Sequence, residues 1–333
     1  MNVFYFSSDL FTSVMAVSMV SLLENNRTFD KIEFYIVDDG ITEDNKTKLQ
    51  DMVRAYSDEE HLRRIIYIEA PDPVKAFRFP FKSRYQMGHS YPRMLIGSIL
   101  PTSVDRVLCM DSDTLVCGDL QELWNLDIGN NIMAGVSDCM NIRKYSGQFQ
   151  MTDDMIYCNA GMFLVDLKKW REQKIEKKII HRIHKQNGNV FFFEQTLMNW
   201  ACGGKILPLP PEYNCYTLFW AFSYEDLIKW RKPLNFFTEE EVARAKKAPR
   251  IIHFTRNFYM MSRPWVKGCD HPMTTEYVGY KEMTPWPDLY EDNRSKKQCM
   301  KYELWHKLPL DMMISAASFI YNEIRPKMWW KNE

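Results

Sequence analysis

The sequence predicts an α/β protein whose first half forms a doubly wound parallel sheet. Three apolar runs, NVFYFSS, IEFYIVDDG and RRIIYIEA, alternate with two segments that carry apolar residues at helical spacing. Such alternation is typical of a parallel sheet with helices on both faces, and these sheets bind ligands beyond the carboxyl ends of their strands. The 333 residues, 46% of them hydrophobic and 26% charged, are enough for a full core.

Local signals define the elements of this first half. The segment SDLFTSVMAVSMVSLLENN keeps helical spacing and ends in two asparagines, which favour a helix end. The next helix, TEDNKTKLQDMVRAY, begins at Thr42, whose hydroxyl is a typical N-terminal cap. A further helix is predicted from about Tyr91 to Leu100, before the strand of VDRVLCMDSD. No GxGxxG or P-loop follows a predicted strand, so a dinucleotide site is not expected.

The second half mixes strands and helices. IMAGVSD is a predicted strand, and MIYCNAGMFLVDL is a strand interrupted at Asn-Ala-Gly. KKWREQKIEKKIIHRIHKQ is predicted as one long helix, FFFEQTLMNWACG as another, and RIIHFT as a short strand that ends on His253. Beyond Arg256 the chain becomes rich in Trp, Tyr, Pro, Met and Lys, so we divide it into a main domain, 1–265, and a C-terminal extension, 266–333.

Charge and cysteine usage exclude several classes of protein. With 43 basic and 43 acidic residues the net charge is zero, which argues against a nucleic acid partner. The eight cysteines form no CxxC pair, so a zinc ribbon or a thioredoxin-type motif is not indicated. We interpret them as reduced thiols of a cytoplasmic protein. Neither a secretion signal nor a transmembrane helix is predicted.

Two carboxylates, Asp111 and Asp113, stand one residue apart in RVLCMDSDTLVCGDL, at the end of a predicted buried strand. Like charges this close repel each other, so a divalent cation is the expected partner. Oxygen ligands favour Mg²⁺ or Mn²⁺, and phosphate oxygens, water and an imidazole would complete the shell. His253, at the end of another predicted strand, is the candidate imidazole. A solvated turn is the alternative for an isolated Asp-x-Asp.

The same residues allow a second enzymatic interpretation. A buried strand followed by DSDTL matches the opening motif of haloacid-dehalogenase-type phosphatases, in which the first aspartate, here Asp111, is the nucleophile. That motif normally opens its domain, whereas three predicted strands precede it here. No later lysine or aspartate cluster stands out in the expected order, so this phosphohydrolase is kept as the alternative.

Taken together, the neighbouring segments strongly resemble glycosyltransferase family 8. MDSDTLVCGDLQELW, YCNAGMFLVDLKKWRE, FFFEQTLMNW, PPEYNCY and IIHFTRNFYMMSRPW follow the family's order, and the resemblance covers roughly residues 1 to 290. It implies a GT-A fold, a Rossmann-like mixed sheet flanked by helices, here with a mixed C-terminal extension. It also implies a UDP-galactose or UDP-glucose donor, Mn²⁺ (Mg²⁺ as the alternative) and retention of anomeric configuration.

The resemblance implies roles for individual positions. Asp111, Asp113 and His253 match the metal ligands. The implied donor contacts comprise two of the metal ligands, an arginine at the diphosphate (Arg263), an arginine on a helix that faces the donor (Arg93), and further residues near the nucleotide and the sugar. The full set is Ser7, Ser8, Arg93, Asp111, Ser112, Asp138, Asn159, Ala160, Gly161, Gln195, His253 and Arg263. The implied catalytic residues are Gln195, Glu194 and Asp138.

Two positions depart from the family's pattern. The Asp-Gln-Asp segment reads Glu194, Gln195 and Thr196, so we favour front-face substitution, with the UDP oxygen helping to deprotonate the acceptor, over a carboxylate nucleophile. Arg256 stands where glycine is usual, and an insertion precedes Arg263, so closure of this loop over the donor is expected to differ. These departures keep a non-catalytic UDP-sugar- or glycan-binding protein as a further alternative.

The acceptor implied by the resemblance is a glycan or a lipid-linked saccharide, in lipopolysaccharide or polysaccharide biosynthesis. The tail YELWHKLPLDMMISAASFIYNEIRPKMWWKNE mixes aromatic residues with lysines. This pattern suits peripheral contact with the inner face of a membrane. A helix packed against the main domain and a homodimer contact are the alternatives.

Overall fold

Strands and helices alternate through the first half of the chain, as the sequence predicts. The structure is a computed structural model that describes residues 1–81, 90–145, 151–257 and 263–328. The strands are β1 Asn2–Ser8, β2 Lys31–Asp39, β3 Leu62–Glu69, β4 Arg106–Met110, β5 Thr114–Val116, β6 Met133–Ser137, β7 Cys158–Asp166, β8 Ile206–Pro208, β9 Cys215–Tyr216 and β10 Ile251–His253.

The α-helices are distributed along the chain, and the last of them ends at Met328, the last described residue. They are α1 Thr12–Asn25, α2 Glu43–Arg54, α3 Pro73–Phe77, α4 Ile96–Ile99, α5 Gln121–Asn125, α6 Leu167–Glu172, α7 Ile175–Lys185, α8 Phe193–Cys202, α9 Leu218–Ala221, α10 Tyr224–Arg231, α11 Glu239–Lys247, α12 Thr274–Glu282, α13 Lys296–Lys307, α14 Leu310–Phe319 and α15 Arg325–Met328. Short 3₁₀ turns cover Asp9–Phe11, Tyr91–Leu95, Ile142–Tyr145 and Pro211–Asn214, and a π turn covers Ile320–Ile324.

The main sheet has seven strands in the order β3-β2-β1-β4-β7-β6-β8. The first four of these run parallel, whereas β7 is antiparallel to both β4 and β6, so the sheet is mixed. A smaller sheet joins β5, β10 and β9. Within it, His253 pairs with Thr114, the residue directly after Asp113. This pairing brings the end of β10 to the end of β4.

Alternating side chains of the central strands fill a core on each face of the main sheet. Phe4 packs on one face with Phe163 of β7, whereas Val3 and Tyr5 pack on the other face against the helices. Helix α1 is buried at every position from Thr12 to Leu23. A helix enclosed on all sides anchors the end of β1 rigidly, because protein cores are close-packed.

One local prediction is confirmed in part and another is wrong. The strand β7 spans Cys158–Asp166, and its pairing with β6 is irregular at Asn-Ala-Gly, as predicted: Gly135 pairs with Phe163 and Ser137 with Cys158, so residues 159–162 of β7 lie opposite Val136 alone. The single helix predicted over KKWREQKIEKKIIHRIHKQ is two helices, α6 and α7. They separate at Lys174, whose φ of 54° is left-handed and therefore incompatible with a continuous helix.

The C-terminal extension is more helical than its composition suggests. Four α-helices, α12 to α15, lie in its described part. Tyr277, Ile314 and Tyr321 pack in the same core as Phe254 and Trp265. The domain boundary at residue 265 stays a prediction. In the described part of the chain, no helix has the length and apolar character needed to cross a membrane.

Candidate active site

The three predicted metal ligands meet where β4 and β10 end and β7 begins. The backbone N–H of Asp111 donates to the carbonyl of Gly161 at 2.9 Å, and that of Phe254 donates to the carbonyl of Asp113 at 2.9 Å. Nε2 of His253 lies 3.4 Å from Oδ2 of Asp111 and 3.3 Å from Oδ1 of Asp113. One ligand atom from each of the three residues lies within 4.8 Å of the others, which makes a candidate metal site.

These side chains fit a divalent cation that accepts both oxygen and nitrogen. Carboxylates suit Mg²⁺ and Mn²⁺, and an imidazole suits a transition metal. The imidazole has room only because residue 161 is glycine: a Cβ there would lie 2.0 Å from Nδ1 of His253. The close approach of β7 to the ring therefore depends on Gly161.

Asn159 fixes the orientation of His253. The backbone N–H of Gly161 donates to one side-chain atom of Asn159 at 2.9 Å; since an N–H can only donate, that atom is the amide oxygen, Oδ1. Nδ1 of His253 lies 3.2 Å from the same oxygen, so Nδ1 carries a proton. When His253 is neutral, as a metal ligand must be, this proton on Nδ1 leaves the Nε2 lone pair directed towards the two carboxylates.

Asn214 is a residue of this site that sequence reasoning misses. It is fully buried, and its Nδ2 donates to Oδ1 of Asn159 at 3.0 Å, which strengthens the same orientation. The only signal in the sequence is its place in PPEYNCY, a segment that belongs to the resemblance but has no assigned role. The role of a buried asparagine depends on its hydrogen-bond partners, and the partner of Asn214 is Asn159 on β7, far away along the chain.

Two arginines and the histidine balance the charge of the carboxylates. Arg93 is buried, donates to Asp111 and to the carbonyl of Ala160, and so ties β4 to β7. Nη1 of Arg263 donates to Oδ2 of Asp113 at 2.5 Å. Burial opposes ionisation of Asp111, but Arg93 and His253 outweigh it and hold the pKa of Asp111 well below its usual range. Burial also opposes protonation of His253, yet the two carboxylates raise its pKa to about 9.

A second connected group holds Asp138 beside the metal ligands. Nε2 of Gln195 donates to Oδ2 of Asp138 at 2.8 Å, and Oε1 of Gln195 accepts from the N–H of Ala160 at 2.8 Å. Nδ2 of Asn159 donates to the same oxygen of Asp138 at 3.3 Å. Asn159 therefore links the carboxylate of Asp138 to His253.

The residues on either side of Gln195 in the sequence, Glu194 and Thr196, have different surroundings. Thr196 is buried, and its hydroxyl donates to the carbonyl of Phe191 at 2.5 Å and lies 2.8 Å from the hydroxyl of Tyr157. Thr196 thus belongs to the core. Glu194 is half-buried and within electrostatic reach of Arg93; burial raises the pKa of Glu194 to about 7, against the opposing effect of that arginine.

A cavity of about 480 Å³ opens beside the carboxylates, at the ends of β1, β2 and β4. Its lining contains four predicted donor contacts besides Asp111 and further residues around them: Phe6, Ser7, Ser8, Leu10, Phe11, Asp39, Ser90, Asp111, Ser112, Asp113 and Arg263. Asp39 is the register partner of Ser8 on β2 and is a lining residue that sequence reasoning misses, although it ends the predicted strand IEFYIVDDG. A larger cavity, about 640 Å³, lies away from the metal ligands, around Cys117 and Arg250.

Comparison with known proteins decides the family. Residues 2–267 match the family model of glycosyl transferase family 8. The chain belongs to glycosyl transferase family 8. Its site therefore has the setting expected of a family 8 glycosyltransferase: an Asp-x-Asp pair and a histidine beside a cavity at the edge of the sheet.

Relatives of this family 8 protein are found among curated sequences and solved structures. A putative glycosyltransferase of Haemophilus influenzae is 30% identical over 275 residues, 81% of this chain and 74% of its own. The lipopolysaccharide 1,2-glucosyltransferase of Escherichia coli K12 is 24% identical over 310 residues, 92% of this chain and 84% of its own. The galactosyltransferase LgtC, solved with donor and acceptor sugar analogs, has a TM-score of 0.66 at 21% identity, covering 90% of this chain and all of its own.

These comparisons confirm the predicted family and the predicted GT-A fold. Membership in family 8 favours a glycosyltransferase over the haloacid-dehalogenase-type phosphohydrolase. The roles of individual residues stay predictions, although the structure brings together the predicted metal ligands, both arginines, Asn159, Gly161, Asp138 and Gln195.

Proposed function

We propose that this protein transfers a hexose, galactose or glucose, from a UDP-sugar to a glycan or lipid-linked saccharide, with Mn²⁺ as the metal and with retention of configuration. The observation that carries the proposal is the group of Asp111, Asp113 and His253 at the rim of a cavity of about 480 Å³. A cavity of this size suits a ligand as large as a nucleotide sugar. The relation to a lipopolysaccharide glucosyltransferase supports a cell-surface saccharide as the acceptor.

Asp111, Asp113 and His253 hold the metal ion in this proposal, with Mg²⁺ as the alternative. When bound, the cation supplies Lewis-acid stabilisation of the negative charge that develops on the departing diphosphate. Arg263 lines the same cavity and donates to Asp113. Its guanidinium has further N–H groups for diphosphate oxygens, which it can grip two at a time.

Asp138 positions the donor sugar by accepting hydrogen bonds from its hydroxyl groups. Gln195 and Asn159 hold this carboxylate, so its direction is set before the donor arrives. Gln195 has its oxygen engaged by the N–H of Ala160 and its nitrogen by Asp138, which argues against a role as nucleophile. The acceptor then attacks on the face that the UDP leaves, with the UDP oxygen helping to remove the acceptor proton, and configuration is retained.

A donor screen tests this function. We expect the full chain to release UDP from UDP-glucose or UDP-galactose in the presence of Mn²⁺, and to stop when EDTA is added. The first sugar formed should be the α-anomer by ¹H NMR. UDP binding without turnover of either donor would instead indicate a non-catalytic binding protein. Release of phosphate from p-nitrophenyl phosphate, with no requirement for UDP, would support the phosphohydrolase.

We also propose that the C-terminal helices attach this cytoplasmic protein to the inner face of a membrane. Met300, Leu304, Met312 and Phe319, on α13 and α14, are each more than half exposed. Lysines stand at both ends of α13, which suits anionic headgroups. Residues 329–333 of the tail lie outside the described residues. Co-sedimentation with anionic but not zwitterionic vesicles is expected; no binding, with a dimer mass in solution, would favour the homodimer contact.

A further inference from the structure

Two arginines, Arg231 and Arg325, and the aromatic rings of Trp230, Tyr321 and Phe191 form a row between α10 and the C-terminal helices. Arg231, the last residue of α10, has its guanidinium carbon 4.4 Å from the ring centroid of Trp230 and 4.1 Å from that of Tyr321. The guanidinium of Arg325 lies 5.5 Å from the same Tyr321 ring and 4.7 Å from Phe191. Arginine planes over aromatic rings are held in a defined orientation.

The row is anchored to the main domain by buried hydrogen bonds. Nδ2 of Asn322 donates to the carbonyl of Trp230 at 2.9 Å, and Oγ of Ser318 donates to the carbonyl of Lys229 at 3.0 Å. Both Ser318 and Asn322 are buried. The C-terminal helices therefore hold Tyr321 and Arg325 in fixed positions beside α10.

Within the described residues, neither guanidinium has a carboxylate partner. Arg231 forms no ion pair or hydrogen bond there, and its Nε is buried without an acceptor; Arg325 forms no ion pair. A buried charged donor without an acceptor is costly, and native proteins rarely leave one unless a ligand completes it. Two half-buried arginines with unused N–H groups are therefore suited to an anion that arrives from solution.

The surroundings of the row carry an excess of positive charge. Lys144, Lys232 and Lys327 all lie within electrostatic reach of Glu323, which pairs with Lys144 at 2.5 Å. The chain as a whole has no net charge, so this excess is local. A local excess of cations attracts an anionic ligand and speeds its association.

Sheet order places the row on the sugar side of the candidate active site. The cavity lies at the ends of β1, β2 and β4, whereas Asp138 directly follows β6, two strands beyond β4. The N–H of Leu234, three residues after Arg231, donates to the carbonyl of Met140, two residues after Asp138, at 3.2 Å, so the end of α10 lies against the segment that follows β6. Asp138 is within electrostatic reach of both Arg231 and Tyr321. A nucleotide in the cavity and a sugar at Asp138 leave this side of the site for the acceptor.

We propose that Arg231 and Arg325 bind an anionic group, a phosphate or a carboxylate, carried by the acceptor saccharide. The proposal rests on the proposed function and specifies its acceptor: a charged rather than a neutral sugar. The aromatic rings hold the guanidinium planes, and the oxygens of the anion supply the acceptors that Arg231 lacks.

Titration of sugars into the full chain saturated with UDP and Mg²⁺ tests this site, because UDP then fills the diphosphate position. We expect saturable binding of glucose 6-phosphate or of glucuronate and much weaker binding of glucose; the two charged probes distinguish a phosphate from a carboxylate. Arg231→Met should weaken binding of the charged probe at least about tenfold, since hydrogen bonds between charged groups are lost. Arg244→Met, on the exposed face of α11, should bind as the wild type does.

Thermal melting verifies that each variant is folded. If Arg231→Met does not fold, Arg325→Met takes its place in the binding experiment. Equal binding of glucose and glucose 6-phosphate would overturn the proposal, as would equal binding by wild type and both arginine variants. An equal loss in Arg244→Met would show only nonspecific attraction and would also overturn it. Failure of UDP itself to bind is a separate result: it would contradict the proposed function, and the probes would then be titrated without UDP.

Discussion

Replacing Asp113 with asparagine should reduce metal-dependent turnover of the UDP-sugar by about 10²–10³-fold, the effect of removing one strong electrostatic contact from an active site. Asparagine keeps the size of the side chain but removes the negative charge that faces both His253 and Arg263. The site then offers a metal one anionic ligand fewer, and Arg263 loses the carboxylate that positions it. The measurement is kcat/KM for the donor across a Mn²⁺ series.

Asp51→Asn is the matched control for this substitution. Asp51 lies on α2, is exposed and pairs with Arg54 at the surface, so its replacement should leave kcat/KM and the Mn²⁺ dependence unchanged. Raising the Mn²⁺ concentration should recover part of the activity of Asp113→Asn, since the remaining ligands are intact. An Asp113→Asn enzyme with a wild-type rate and wild-type Mn²⁺ dependence would contradict the assignment of this residue.

Gly161→Ala should lower Mn²⁺ affinity and reduce turnover by about 10²-fold, because a Cβ at this position would lie 2.0 Å from Nδ1 and 2.3 Å from Cε1 of His253. The backbone cannot retreat easily, since the carbonyl of Gly161 accepts from Asp111 and its N–H donates to Asn159. The imidazole must therefore move, and its contact with Asn159 is lost. Calorimetric titration of Mn²⁺ and steady-state rates measure the two effects.

The matched control is Gly279→Ala, on α12. A Cβ at Gly279 would meet nothing within 4 Å, and alanine favours a helix by up to about 1 kcal/mol over glycine. This variant should keep its activity and be as stable as the wild type or more so. If Gly161→Ala binds Mn²⁺ normally while its melting temperature falls, Gly161 is needed only for packing. Its close approach to His253 then has no effect on metal binding.

Sequence reasoning finds the residues whose signal is local. The alternation of strands and helices predicts the parallel part of the sheet, and Asp111 with Asp113 is recognisable because two carboxylates at a strand end need a cation. His253 is found for the same reason, as a ligand-type residue at the end of a strand. The resemblance to family 8 then connects these positions, which lie far apart along the chain.

Features that depend on partners distant in the chain escape such reasoning. Asn214 and Asp39 look ordinary until the pairing of strands brings them to Asn159 and to the cavity. Thr196 looks like a changed catalytic position, yet its helix turns it into the core.

Isothermal titration of UDP into the wild-type protein, with Mn²⁺ and then with EDTA, tests the central claim most directly. If the central claim holds, binding requires Mn²⁺ and is lost, or weakened at least about tenfold, in Asp113→Asn, because Asp111, Asp113 and His253 would hold a cation that stabilises the charge of the diphosphate. UDP affinity that is the same in EDTA and in Asp113→Asn, or no binding of UDP under either condition, would contradict it.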